Sequence, residues 1–361
     1  MPSFAAIPPY VEHLLTGNGA PLPGLPDRAD RVVVVLLDAF GRVFLERYAD
    51  HPLVRRLTVC ELDSQFPSTT AAHVTTMHSG QPVGSHGVYE WNVYEPALGR
   101  VITPLRFSFA GDREGDTLRG HIDPRDLVPP EPCLYERLAA EGVVSLVYQP
   151  DAFSPSTFDG AAIRAADIRP FNALGDGLTD ALRSVAALER GYAYVYFHAI
   201  DLVGHLSGPS SQDFDEAVRF ALDAVEGALP AAGDDTLVLL TADHGQVDVD
   251  PAETIWLDEL HPPLASLALR PAGSARDVFL HVEDVEGTIA ALAPHVEVHP
   301  ADELFGDIGP RLRERLAPVC VLPPPGRMAW LRGASDIAMR FRGHHGGRTP
   351  EETQTYLAAV S

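Results

Sequence analysis

Short unbroken apolar runs alternate with stretches of helical periodicity along most of the chain. Arg31–Leu37 is one such run, and others lie at Val143–Tyr148, Ala193–Phe197 and Thr236–Leu240. Each is short, rich in β-branched or aromatic residues and bounded by polar residues or glycine. That pattern predicts strands covered on both faces. Between them, Phe214, Ala217, Val218, Ala221, Leu222, Val225 and Leu229 recur at helical spacing. Ser211 is the expected N-cap of that helix, with Asp213 and Asp215 in its first turn. A second helix is expected over Thr70–Ser79, entered after Phe66-Pro67-Ser68.

Strands that alternate with helices predict an α/β fold with a mainly parallel central sheet flanked by helices. A Pro/Gly-rich lead-in occupies residues 1–26, and the catalytic core is expected over 27–249. Within it, 95–171 is rich in Pro, Gly and charge and reads as long substrate-facing loops. Residues 250–335 carry their own pattern: strand Asp277–Val282, helix Val285–Leu292, and strands His295–His299 and Val319–Leu322. This predicts a smaller inserted α+β subdomain, after which 336–361 returns to the core.

Charge changes the picture by exclusion. A formal net charge of −23 leaves no clustered basic surface for a nucleic-acid polymer. No run approaches the roughly 20 apolar residues of a membrane helix, and the N-terminus lacks a signal-peptide pattern. A cytoplasmic location with no membrane partner is expected. Three dispersed cysteines, Cys60, Cys133 and Cys320, indicate neither a disulfide framework nor a thiolate metal site.

The chemistry gathers where the apolar runs end. Asp38 closes the first run, Asp201-Leu-Val-Gly-His205 follows the third, and Thr-Ala-Asp243-His244-Gly closes the fourth. In parallel sheets ligand groups collect at the carboxyl ends of strands. Gly-His344-His345-Gly-Gly adds a histidine pair, giving enough nitrogen and carboxylate ligands for two divalent metals. A single Asp-His pair is as often a helix cap beside a surface histidine; three such positions together are not. Phe66-Pro-Ser-Thr-Thr70 places hydroxyls at a helix start, where a phosphate is favoured, although Ser68, Thr69 or Thr70 equally suits a plain N-cap.

In this order the stretches Val-Leu-Leu-Asp38, Phe-Pro-Ser-Thr-Thr70, Ser-Gly-Gln-Pro-Val-Gly-Ser-His86-Gly-Val, Asp201-Leu-Val-Gly-His205, Thr-Ala-Asp243-His244-Gly and His345-Gly-Gly resemble the alkaline phosphatase superfamily. More narrowly, they resemble its type I phosphodiesterase and nucleotide pyrophosphatase branch. The resemblance implies an alkaline-phosphatase-like fold, hydrolysis of a small phosphate diester or pyrophosphate, and two divalent ions, zinc first and manganese as the alternative. It implies one ion on Asp201, His205 and His345, with His344 as the competing choice for the last. The other falls to Asp38, Asp243 and His244, with Thr70 as the nucleophile that becomes phosphothreonine. Asn92 lies near the position of a family asparagine that holds a non-bridging oxygen.

The likeness thins at Ala71-Ala72-His73-Val74, where the family carries an aromatic that stacks on a base. No basic residue lies between Glu61 and Tyr94, which disfavours a doubly charged monoester unless Arg106, Arg113, Arg119 or Arg125 reaches in. A phosphomonoesterase or phosphonate hydrolase is the second reading, and a non-catalytic phosphate-binding protein the third. His73, His78, His86 and His198 are expected to be structural. His13, His51, His261, His281, His295 and His299 are expected on the surface.

Overall fold

In the computed structural model, which describes residues 1–334 and 337–360, the apolar runs lie side by side in one sheet. Its strands are β1 (Arg31–Leu37), β2 (Leu57–Asp63), β3 (Val144–Pro150), β4 (Ala166–Phe171), β5 (Gly191–Phe197), β6 (Thr236–Ala242) and β7 (Gln354–Val360). Their order across the sheet is β2-β7-β6-β1-β5-β3-β4. Strand β1 pairs in parallel with β5 and β6, and β3 in parallel with β4 and β5. Only β7 runs against its neighbours, β2 and β6.

The period-2 geometry of a strand explains the unbroken composition of β1. Val32, Val34 and Leu36 enter one buried apolar cluster, whereas Val33, Val35 and Leu37 enter another on the opposite face. Tyr192, Tyr194 and Tyr196 of β5 likewise face the first cluster, and Ala193, Val195 and Phe197 the second. Helix α1 (Thr70–Ser79) covers the first face; α2 (Leu174–Ala186) and α4 (Gln212–Ala228) cover the second. Ser211 caps α4 by accepting from the Phe214 amide at 3.2 Å. Helix α3 (Ala199–Ser207) follows β5 directly.

Three departures from the sequence reading have physical causes. Beyond the expected strand at Val143–Tyr148, residues 95–171 hold more than loops: they supply β4, the helix Leu134–Ala140 and, with Val93–Glu95, a small antiparallel sheet that includes Arg100–Thr103 and Ser108–Phe109. Strand β4 is an edge carrying Asp167, Arg169 and Pro170, and proline is tolerated there because an edge leaves ladder positions unpaired. Strand β7, whose alanines carry little strand propensity, lies buried inside the sheet. Third, His51 is buried, with Nε2 3.1 Å from Asp223 Oδ1.

A four-stranded antiparallel sheet stands apart, ordered Ala272–Ser274, Asp277–Leu280, Val319–Leu322, Glu297–Pro300. With the helix Val285–Leu292 it encloses a third apolar cluster. The expected boundary at 335/336 lies outside the described residues. Among the described residues no helix is long and apolar enough to cross a membrane.

Strand β1 is buried throughout Val32–Leu37, whereas Phe171 is the one buried residue of β4. Leu36→Ala should therefore cost about 3 kcal/mol in denaturant unfolding, within the range for a buried leucine that leaves a cavity. Ile168→Ala on β4 should cost less than half of that; equal losses would contradict this ranking.

Candidate metal centre and nucleophile

The site forms where β1, β5 and β6 end. Asp38 follows β1, its amide donating to the Phe197 carbonyl at 2.9 Å. Asp243 and His244 follow β6. Asp201 lies in the first turn of α3 rather than at a strand end, and His205 follows one turn later. An i, i+4 pair shares one helix face, which is how Asp-x-x-x-His brings both groups together: His205 Nε2 is 3.3 Å from Asp201 Oδ2.

Two compact ligand groups result. Asp38, Asp243 and His244 form one; Asp201, His244 and His345 form the other. His244 Nε2 lies 3.5 Å from Asp38 Oδ1 and 3.3 Å from Asp243 Oδ2. His345 Nε2 is 3.5 Å from Asp201 Oδ1, and its ring stacks on His244 at 3.9 Å. His205 touches Asp201 but stands outside both triads, and its ring centroid is 5.0 Å from that of His345. His344 belongs to neither group; its ring centroid is 5.1 Å from that of His205, and its buried Nε2 has no hydrogen-bond partner among the described residues.

Backbone carbonyls set the imidazoles. The Nδ1–H groups of His205, His244 and His345 donate to Gly343 O at 2.8 Å, Gly245 O at 3.2 Å and Ser68 O at 3.0 Å. That leaves each Nε2 as a lone pair turned to the carboxylates, the tautomer a metal ligand requires. One oxygen of Asp243 accepts from the Ala39 and His244 amides at 3.1 and 3.0 Å. Its other oxygen, Oδ2, is buried and accepts no hydrogen bond among the described residues. A buried carboxylate oxygen beside an imidazole lone pair fits a cation. Burial first, then the neighbouring Asp243 and Asp201, raises the Asp38 carboxyl well above its usual value. Burial lowers His244 to about 4.

Thr70 opens α1, and no side chain caps that helix. The Thr70 hydroxyl lies 3.3 Å from both Asp38 oxygens and 3.2 Å from His244 Nε2. Ser68 is used differently: its hydroxyl donates to Gly347 O at 3.0 Å and accepts from the Gly346 amide at 3.2 Å. It thereby fastens the loop that carries His345. Asn92 is not brought to this group. Its Oδ1 accepts from Thr103 at 2.8 Å and its Nδ2 donates to Gly273 O at 3.3 Å, which spends the amide between two strands. Arg106 and Arg119 stay with their own segment, on the Asp112 and Arg113 carbonyls and on Asp116 and Thr157.

Sequence reading missed Tyr196, whose hydroxyl donates to Asp38 Oδ2; a tyrosine inside an apolar strand gives no sign of such a bond. It also missed the Arg276–Glu352 pair. Both partners are fully buried, joined at 3.0 Å through Nε and Nη2, and Glu352 also accepts from the Gly347 amide at 2.9 Å.

The model of the family described as type I phosphodiesterase / nucleotide pyrophosphatase matches residues 32–351. The chain belongs to this family. Membership makes it a hydrolase of phosphodiester or pyrophosphate bonds. No curated protein matches the sequence. Among solved structures, murine ectonucleotide pyrophosphatase/phosphodiesterase 5, in an inactive threonine-to-alanine form in complex with AMP, aligns with a TM-score of 0.68 at 15% identity, covering 91% of this chain and 87% of that one. Another murine structure of that protein (16% identity) and the human one (15%) each align at 0.67 with the same coverage. The shared fold is therefore an ectonucleotide-phosphodiesterase-like α/β architecture.

His73, His78 and His86 are all fully buried. His73 Nδ1–H donates to Thr69 O at 2.6 Å, and its Nε2 accepts from the Gln65 amide at 2.9 Å. His78 meets the Tyr135 hydroxyl at 2.7 Å. Burial lowers His73 to about 4, and His78 and His86 to about 3. A lowered histidine gives stability that is complete above its unfolded value near 6.5 and is lost as pH falls below it. Thermal stability should therefore drop between pH 6.5 and 4. His78→Gln should flatten that slope by roughly one proton; an unchanged slope would mean that His78 is charged in the fold.

Proposed function

We propose that the chain hydrolyses phosphate diesters or pyrophosphates at a two-metal centre, through a phosphothreonine formed on Thr70. The observation that carries this reading is the position of the Thr70 hydroxyl, between the Asp38 carboxylate and His244 Nε2. The inactive murine form, a threonine-to-alanine variant with AMP, supports both the nucleophile and a small nucleotide-type ester as substrate.

On this reading Asp38, Asp243 and His244 would hold one ion beside Thr70, and Asp201, His205 and His345 would hold the second, the His345 ring lying against that of His244. Ligand sets of imidazole and carboxylate suit zinc, and manganese is the alternative. Bound divalent ions there supply Lewis acidity to the phosphoryl oxygens and lower the pKa of a hydroxyl or water. The chain's own groups do the rest. Thr70 directs its hydrogen at Asp38, so the oxygen lone pairs are free to attack phosphorus while the proton leaves to the carboxylate. The Thr70 Oγ1–P bond forms as the bond to the departing alcohol or phosphate breaks. The proton on Asp38 passes to the departing group; water then attacks phosphorus, the Thr70 Oγ1–P bond breaks, and the proton that the water loses restores the Thr70 hydroxyl as the phosphate product leaves. Uncapped backbone N–H groups in the first turn of α1 are aimed where the non-bridging oxygens sit, the role expected of Asn92.

The lack of a nearby cation favours the singly charged diester over a monoester. Three buried unpaired cysteines, Cys60, Cys133 and Cys320, suit a reducing, cytoplasmic setting.

Turnover of bis-p-nitrophenyl phosphate with added zinc should exceed that of p-nitrophenyl phosphate by well over tenfold. A ratio below one would move the assignment to a monoesterase. Thr70→Ala should lower diester turnover at least 10³-fold, of the order seen when a nucleophile is removed, while zinc content by atomic absorption stays within about a factor of two. Near-normal turnover by Thr70→Ala would exclude the covalent route.

A further inference from the structure

Gln246 follows the Asp243-His244-Gly245 motif and is fully buried, yet nothing in the chemistry above uses it. Its Nε2 donates to Asp201 twice, to the backbone carbonyl at 3.1 Å and to the carboxylate Oδ1. Both acceptors are oxygens, so the amide can be oriented only with its NH2 group toward Asp201. That forces Oε1 the other way, into a place where it has no hydrogen-bond partner.

Two glycines make that place. A Cβ at Gly204 would lie 2.0 Å from Gln246 Oε1, and one at Gly343 would lie 2.9 Å from it. Gly204 stands on α3 between Asp201 and His205, and the Gly343 carbonyl holds His205 Nδ1. Three separate segments thus leave a slot that fits one amide. A buried carbonyl without a partner is a net cost to folding, so packing alone would be better served by an apolar side chain of similar length.

We infer that Gln246 is a positioning residue for the second ion. By donating to both oxygens of Asp201 that face it, the side chain fixes the carboxylate's rotamer and the start of α3, and turns Oδ1 and Oδ2 toward His345 and His205. This rests on the two-metal reading. Partners behind metal ligands typically contribute 10- to 100-fold in metal affinity.

The test is zinc binding to the metal-stripped full chain, followed by competition with a chromophoric chelator, beside thermal melts of the zinc-free protein. Wild type should take up two zinc ions. Gln246→Met, close in length but without donors, should keep the wild-type zinc-free melting temperature or raise it. It should bind one ion normally and the other 10- to 100-fold more weakly. If Gln246→Met binds both ions as wild type does, Gln246 is packing and the inference is overturned. If wild type itself binds fewer than two, the two-metal reading fails and takes the inference with it. Should Gln246→Met not fold, Gln246→Asn, which keeps the amide but cannot reach Asp201, serves in its place; selective weakening of one ion supports the inference and unchanged binding of both refutes it.

Discussion

Three aspartates, Asp38, Asp201 and Asp243, converge where parallel strands end, and their mutual repulsion governs the rest of the molecule. Two of them, Asp38 and Asp243, are fully buried. In a low-dielectric setting such groups resist ionising together, and the chain answers with imidazoles, a tyrosine hydroxyl and backbone amides; among the described residues no lysine or arginine pairs with them. A centre arranged in this way is incomplete without a cation from outside. The same shortage of fixed positive charge weighs against a substrate that brings extra negative charge.

Holding these groups together takes parts of the chain that are distant in sequence. Ser68 ties the entrance of α1 to the His345 loop. Arg276, from the hairpin of the smaller sheet, reaches Glu352 and through it the Gly347 amide. A bidentate pair that is fully desolvated adds little net stability, yet is costly to break from one side. Its structural effect is to make the smaller sheet a brace for the loop that carries His345.

The sequence was most legible where geometry repeats. The strands β1, β3, β5 and β6, helix α4 and the helix Val285–Leu292 follow from runs and periods alone, because both faces of a central strand and one face of a helix must be apolar. Motif order alone groups Asp38, Thr70, Asp201, His205, Asp243, His244 and His345 as candidates for one region. What could not be read was contact between segments. The polar edge β4, the alanine-bearing β7, the Tyr196–Asp38 bond and the Arg276–Glu352 pair leave no local trace, since each depends on a partner tens to hundreds of positions away. Asn92 shows the converse: a residue near the right place in a motif, with its amide already engaged by Thr103 and Gly273.

Strand β7 follows every other strand of the sheet in sequence, yet it sits inside the sheet between β2 and β6, and His345 arrives on the loop just before it. Until β7 enters, the sheet has a gap and the candidate centre is open along one side. Nothing made before residue 345 can close it, so a chain cut short anywhere upstream carries Thr70 without the complete set of candidate ligands.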